Sequence, residues 1–224
     1  MGVSVIIPTL NEEATIVGTL QRARQPGVSE IIVVDGGSVD GTRALAHGFA
    51  DLVLSAPCGR AAQMNAGAQR AAGEILLFLH ADTLVPHGFA EAVIAATRRP
   101  EVAGGRFDVA LAPSSPLLRL TGTLMNVRSR LTGIATGDQA IFIRAGVFKQ
   151  LGGYADIPLM EDIDLSRRMK RAGTIACLRQ RVTTSARRWQ AHGVGRTILL
   201  MWTLRALYFC GVSPARLQQW YAER

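Results

Sequence analysis

The chain has 224 residues, 48% hydrophobic and 19% charged, which suits one sizeable core and excludes an intrinsically disordered chain. Its net charge of +8 is unevenly spread: residues 165–224 hold twelve Arg or Lys and a single acid, Glu223, while residues 1–164 are slightly acidic. Cys58, Cys177 and Cys210 stand far apart in no metal spacing, which argues against a disulfide framework or zinc site and points to a reducing, cytoplasmic setting.

Residues 4–8 read as a buried strand; no basic region precedes them and Pro8 ends them, so they do not read as a signal peptide. Asn11-Glu12-Glu13 leads into a helix to about residue 24, with Ile16, Val17 and Leu20 on one face, and Pro26-Gly27 breaks it. Residues 30–35 form a second strand, and Asp40 caps a second helix. A short strand at 52–54, an Ala-rich helix at 59–72, a strand at 74–79 and a helix from Pro86 to about residue 99 follow. Continuously apolar strands alternating with helices predict an α/β fold with a mainly parallel sheet covered on both faces. The second half is less regular: a strand at 105–111, a loop and helix over 113–131, a short strand at 140–143 and a helix at 161–172.

A single domain is expected over 1–175, with residues 176–224 as a basic, partly apolar helical extension packed on it. Residues 198–212 are its most apolar stretch, with Arg205 inside. They number about 15, against roughly 20 for a spanning helix. Two readings stand, a core helix and an interfacial helix with arginines on its polar face. The second would place the protein peripherally at the inner face of a membrane and suggests a lipid-linked acceptor.

Asp35 and Asp82 each follow an apolar strand, and Glu161-Asp162 opens a helix. The C-terminal strand edge of an open α/β sheet is where ligands bind. Three acidic groups on that edge suit a divalent cation and a polyoxygenated substrate. With 6% aromatics and no basic–aromatic interleaving in the front half, no nucleic-acid partner is expected.

Val5-Ile6-Ile7-Pro8-Thr9-Leu10-Asn11-Glu12-Glu13, Val34-Asp35-Gly36-Gly37-Ser38-Val39-Asp40-Gly41-Thr42, Asn65-Ala66-Gly67, Leu79-His80-Ala81-Asp82-Thr83 and Glu161-Asp162 stand in this order. Together they resemble the motif series of the family 2 glycosyltransferases over about residues 3–175. The resemblance implies the Rossmann-like GT-A fold and a metal-dependent, inverting transfer of a sugar from a nucleotide-diphosphate donor, a UDP-sugar by family habit, to an acceptor hydroxyl. It implies that Pro8, Thr9, Asn11 and Glu12 hold the nucleoside, with Glu12 on the ribose or capping the first helix. Asp35 and Gly37 would meet the base, although Gly36 stands where the family often has a second acid, which leaves the base open. Arg60, with Gln63 and Asn65 beyond it, would meet base or pyrophosphate at a helix N-terminus.

In the resembled signature Asp-x-Asp, Asp82 is the last acid and would bind Mn²⁺ or Mg²⁺ beside Ala81. His80 replaces the first acid, as ligand or as structural residue. Asp162 would be the base that deprotonates the acceptor, with Glu161 orienting. Asp164, about 200° further around the helix, should face elsewhere. Arg187-Arg188-Trp189 resembles the Gln-x-x-Arg-Trp element of processive members, so Arg188 and His192 would close over the pyrophosphate. Ser185 in the glutamine's place argues against a polymer synthase. Two alternatives stand. A nucleotidyltransferase of similar fold would need a basic, Gly-rich loop where this chain is acidic. A non-catalytic nucleotide- or membrane-binding module would accommodate Gly36 and His80.

Overall fold

The computed structural model describes residues 1–187 and 193–222. Its first half follows the expected alternation: β1 (Val3–Thr9), β2 (Val28–Asp35), β3 (Leu52–Ser55) and β4 (Ile75–Phe78) lie parallel. β5 (Thr83–Leu84), β6 (Val102–Ala112), β7 (Ile141–Arg144) and β8 (Thr174–Ser185) extend them into one sheet of order β3-β2-β1-β4-β7-β6-β8-β5. Only β7 and β5 run against the other strands.

Alternate residues of each central strand enter opposite cores, as the two-residue period of a pleated strand requires. Val5, Ile7, Ile31, Val33 and Leu77 face one core, which α1 (Ile16–Ala23) and α4 (Phe89–Thr97) cover with Ile16, Leu20, Phe89 and Val93. Ile6, Ile32, Val34 and Phe78 face the other, covered by α3 (Arg60–Arg70), α6 (Ala145–Gln150) and α7 (Glu161–Ala172) through Met64, Phe148, Leu165 and Met169. α3 packs closely because position 67 is glycine: a Cβ there would lie 2.5 Å from Ile6 Cγ2. α2 (Thr42–His47) follows the loop after β2.

Two elements differ from the sequence reading. The first helix begins at Ile16 rather than near Asn11, because Asn11 takes a left-handed turn (φ 54°) and bonds the loop after β2. Strand structure runs past residue 175: β8 pairs with β6 as far as Ser185, so the helical extension starts later than position 176. Gln180 and its flanking arginines interrupt the apolar pattern, and the ladder is irregular there, passing from Leu178 to Arg181. Such a strand lacks the signal of a central one.

Three helices close the cleft side: α5 (Pro116–Thr132), α8 (Val194–Phe209) and α9 (Pro214–Ala222). α8 and α9 rest on the start of α7 through Ile163, Leu204 and Leu217. On α8 only Thr197 and Leu204 are buried, while Leu199 and Trp202 are exposed, so it is a surface helix rather than a core one. Among the described residues no helix is long and apolar enough to cross a membrane.

Candidate active site

The C-terminal ends of β1 and β4, the N-termini of α3 and α7, and the segment after β8 converge on one cleft of about 910 Å³. Of the residues singled out from sequence, Pro8, Thr9, Glu12, Arg60, Gln63, His80, Ala81, Asp82 and Asp162 line it. Asn11, Asp35, Gly37, Asn65 and Glu161 do not line it and do other work nearby. Arg188 and His192 lie outside the described residues.

Asp35 is buried, and its carboxylate holds the loop that follows. Oδ2 accepts from the Gly37 and Ser38 N–H groups, both at 3.0 Å, and Oδ1 from the Ser38 hydroxyl at 2.5 Å and the Thr9 hydroxyl at 3.3 Å. Burial pushes its pKa up, but these hydrogen bonds, Ser38 foremost, outweigh burial and hold it below the ordinary carboxylate range. Gln63 ties the ends of β1 and β2 together, donating to the Thr9 carbonyl at 2.9 Å and the Val34 carbonyl at 2.7 Å. A side chain at position 36 would press on it, since a Cβ there would lie 3.1 Å from the Gln63 amide. That crowding is a physical reason for glycine where the resembled family often has an acid. Asn65 turns away to clamp Tyr154, donating to its carbonyl and accepting from its N–H, both at 2.9 Å.

Glu12, Asp82 and Asp162 in the cleft are each met by an arginine or a backbone donor. Arg187 donates to both carboxylate oxygens of Glu12 and lies 3.4 Å from Asp82 Oδ2, so one guanidinium bridges the two acids. Arg60, half-exposed at the head of α3, lies 3.6 Å from Glu161. Burial opposes the Arg60 charge, but Glu161, then Asp138, Asp162 and Asp82, outweigh it and raise its pKa. Glu161 is buried and its pKa is raised by that burial and by the adjacent Asp162, with Arg60 opposing. Asp162 faces the cleft with one oxygen fixed by the Gly137 N–H at 2.8 Å, on the 3-10 turn Gly137–Gln139. Asp164 points away and pairs with Arg168.

His80 packs against Gly137, where a Cβ would lie 2.4 Å from its Nε2, and its Nδ1 lies 3.4 Å from Asp138 Oδ1. Among the described residues no group of three potential metal ligands gathers. Sequence reasoning passed over two contributions to the cleft. Arg187, in the sequence only a neighbour of Arg188, reaches Glu12 and Asp82. Arg128 and Arg205, on α5 and α8, line the cleft as well. The one available sign was a charged residue inside the apolar 198–212 stretch.

A mainly parallel α/β sheet with an acid- and arginine-bearing cleft at its C-terminal strand ends is the architecture of the GT-A fold. Residues 4–149 match the profile of Glycosyl transferase family 2, and the chain belongs to that family. It is 33% identical over 164 residues to a PGL/p-HBAD biosynthesis glycosyltransferase of Mycobacterium bovis BCG, covering 67% of this chain and 62% of that one. A 45-residue stretch is 46% identical to glycosyltransferase AglJ of Haloferax volcanii, covering 20% of this chain and 15% of AglJ. The chain thus spans less than two thirds of the length of either relative.

Two solved structures share the fold. Staphylococcus aureus TarS 1–349 superposes with a TM-score of 0.65 at 18% identity, over 83% of this chain and 61% of that one. The Pyrobaculum calidifontis mannosyltransferase PcManGT, solved with GDP-Man and Mn²⁺, gives 0.63 at 21%, over 81% and 56%.

Proposed function

We propose that this protein transfers a sugar from a nucleotide-diphosphate donor, a UDP-sugar, to an acceptor hydroxyl with inversion at the anomeric carbon. The observation that carries this reading is the meeting of Glu12, Arg60, Asp82 and Asp162 in one cleft at the strand ends, from four separate segments. Family membership supports glycosyl transfer over the nucleotidyltransferase and binding-module alternatives. So does the cleft loop after β1, which carries Glu12 and Glu13 and no basic residue to hold a triphosphate.

The cleft fits a divalent cation. The Arg187 guanidinium lies between Glu12 and Asp82, so these carboxylates already attract positive charge. Asp82 would hold Mn²⁺ or Mg²⁺, with donor phosphate oxygens and water completing its shell. When bound, the cation supplies charge neutralisation of the departing diphosphate. The protein's own groups do the rest. Asp162, aimed by the Gly137 N–H, accepts the acceptor hydroxyl proton as the new C–O bond forms. The bond from the anomeric carbon to the phosphate oxygen breaks, and the nucleoside diphosphate leaves with the electron pair. Arg60, beside Glu161, and Arg187, beside Glu12 and Asp82, would meet that negative charge. The acceptor is proposed to be lipid-linked and the membrane contact peripheral, through the basic, apolar-faced C-terminus.

A thermal-shift panel of nucleoside diphosphates and nucleotide sugars, with and without manganese, tests this. A ligand at 100 times its Kd adds about 2.7 kcal/mol of stability. The expected result is a manganese-dependent shift with UDP and one UDP-sugar that disappears in Asp82→Asn. No shift with any nucleotide would overturn the reading.

A further inference from the structure

Where α5 and α8 wall the cleft, the charge pattern changes. Arg60 and Arg187 each have carboxylate partners. Arg128 on α5 and Arg205 on α8 have none within ion-pair distance among the described residues. The Nε and Nη2 atoms of Arg128 and the Nε of Arg205 are enclosed and lack any hydrogen-bond partner. The two guanidinium groups also repel one another. Burial first, then Arg205, pulls the Arg128 pKa down to about 10, and burial lowers Arg205 as well. Both remain cationic at neutral pH. Asp162 attracts both from a distance, and Asp138 attracts Arg205, but neither makes an ion pair with them.

Two neighbouring like charges, partly buried and with enclosed nitrogens that lack partners, are costly. An oxyanion between them would offset that cost, since the planar guanidinium matches phosphate and carboxylate with paired hydrogen bonds. The walls here are apolar: Leu124, Leu131, Met201 and Trp202 line the same cavity. On α5, Leu117, Leu120, Leu124, Val127 and Leu131 repeat at steps of three and four, which places them on one helix face, and all are exposed.

Resting on the transfer reading above, which makes Asp162 the acceptor-side base, we propose that Arg128 and Arg205 form an anion subsite for the acceptor. The acceptor would carry a phosphate or carboxylate group beside an apolar portion. The anion is bound by the arginine pair and the apolar portion lies along α5 and α8, which leaves the acceptor hydroxyl at Asp162.

Isothermal titration of the full chain with octyl phosphate, glycerol 3-phosphate and octyl glucoside, and with UDP as reference, tests this. The expected result is that a phosphate ester binds the wild type and binds roughly tenfold or more weakly to Arg128→Gln and to Arg205→Gln. UDP affinity should change less than about threefold. Preference for octyl phosphate would identify a lipid-borne anion, and preference for glycerol 3-phosphate a soluble one. Octyl glucoside binding as tightly as octyl phosphate would overturn the proposal, as would equal phosphate binding by wild type and variants. UDP and phosphate affinities falling together would also overturn it, by assigning the arginines to the donor. Should UDP bind nowhere while phosphate binding still depends on both arginines, the donor reading fails and the anion site stands. Each variant removes a partly buried charge with enclosed, unpartnered nitrogens, so its melting temperature should equal or exceed that of the wild type. Arg128→Lys, which keeps the charge without the fork, should recover part of the phosphate affinity lost in Arg128→Gln; no recovery counts against the proposal.

Discussion

Replacing Asp35 separates two roles for a carboxylate at the end of β2: contact with the donor base, as the resemblance implies, and anchorage of the loop after β2. Asp35→Ala strips four donors of a buried charged acceptor. A hydrogen bond to a charged group contributes roughly 1.5–3 kcal/mol net. The Thr9 contact is long at 3.3 Å, and the Gly37 and Ser38 groups can reach water once the loop loosens. The sum is therefore well below four full bonds, about 3–4 kcal/mol, a large part of a typical folding stability. In urea this lowers the midpoint by about 1 M or more. Asp35→Asn keeps the shape and one acceptor oxygen and should cost about half as much.

The pH dependence has a definite sign. The folded-state pKa of Asp35 is depressed, so its stabilisation is present above the ordinary carboxylate range and is lost as pH falls through the lower folded value. The acid limb of the wild-type stability curve should be steeper than that of Asp35→Ala, by at most about 1.4 kcal/mol per pH unit for one proton. Equilibrium urea unfolding followed by tryptophan fluorescence, at several pH values and with nucleotide binding measured in parallel, reads both effects. A midpoint within about 0.2 M of the wild type, together with lost nucleotide binding, would refute the anchoring argument and make Asp35 a ligand contact.

Asp162→Asn should keep nucleotide affinity within about twofold while the transfer rate falls about 10²–10⁴-fold, measured as nucleoside diphosphate release with acceptor present. Full turnover would remove Asp162 from the base role. Asn65→Ala breaks both hydrogen bonds to Tyr154 and should cost about 1–3 kcal/mol in urea unfolding while leaving nucleotide affinity nearly unchanged. A selective loss of nucleotide binding would instead place Asn65 on the donor.

The strands at β1, β2 and β4 were legible because burial on both faces leaves an unbroken apolar run, a signal carried within a few residues. The acids at their ends were legible for the same reason, since a strand's end marks the ligand edge of the sheet. β8 was not: Arg179, Gln180 and Arg181 interrupt its run near the sheet edge, where side chains can reach water. Asn65 and Gln63 read alike on paper, both polar residues early in one helix. Only Gln63 lines the cleft, whereas Asn65 turns to Tyr154 on a loop far along the chain.

The sequence by itself determined the α/β alternation, the family motifs in order and the presence of Glu12, Asp82 and Asp162 at element ends, which line the cleft. Those are local properties, set by period, by caps and by where each apolar run stops. Tertiary structure decided which polar groups stay open to the cleft and which are occupied within the fold. It turned Asp35 inward onto four donors, set Arg187 between Glu12 and Asp82, and brought Arg128 and Arg205 together from helices far apart in the chain. The physical reason is that a polar side chain's role depends on the partner it meets across space, and that partner is chosen by packing between distant segments.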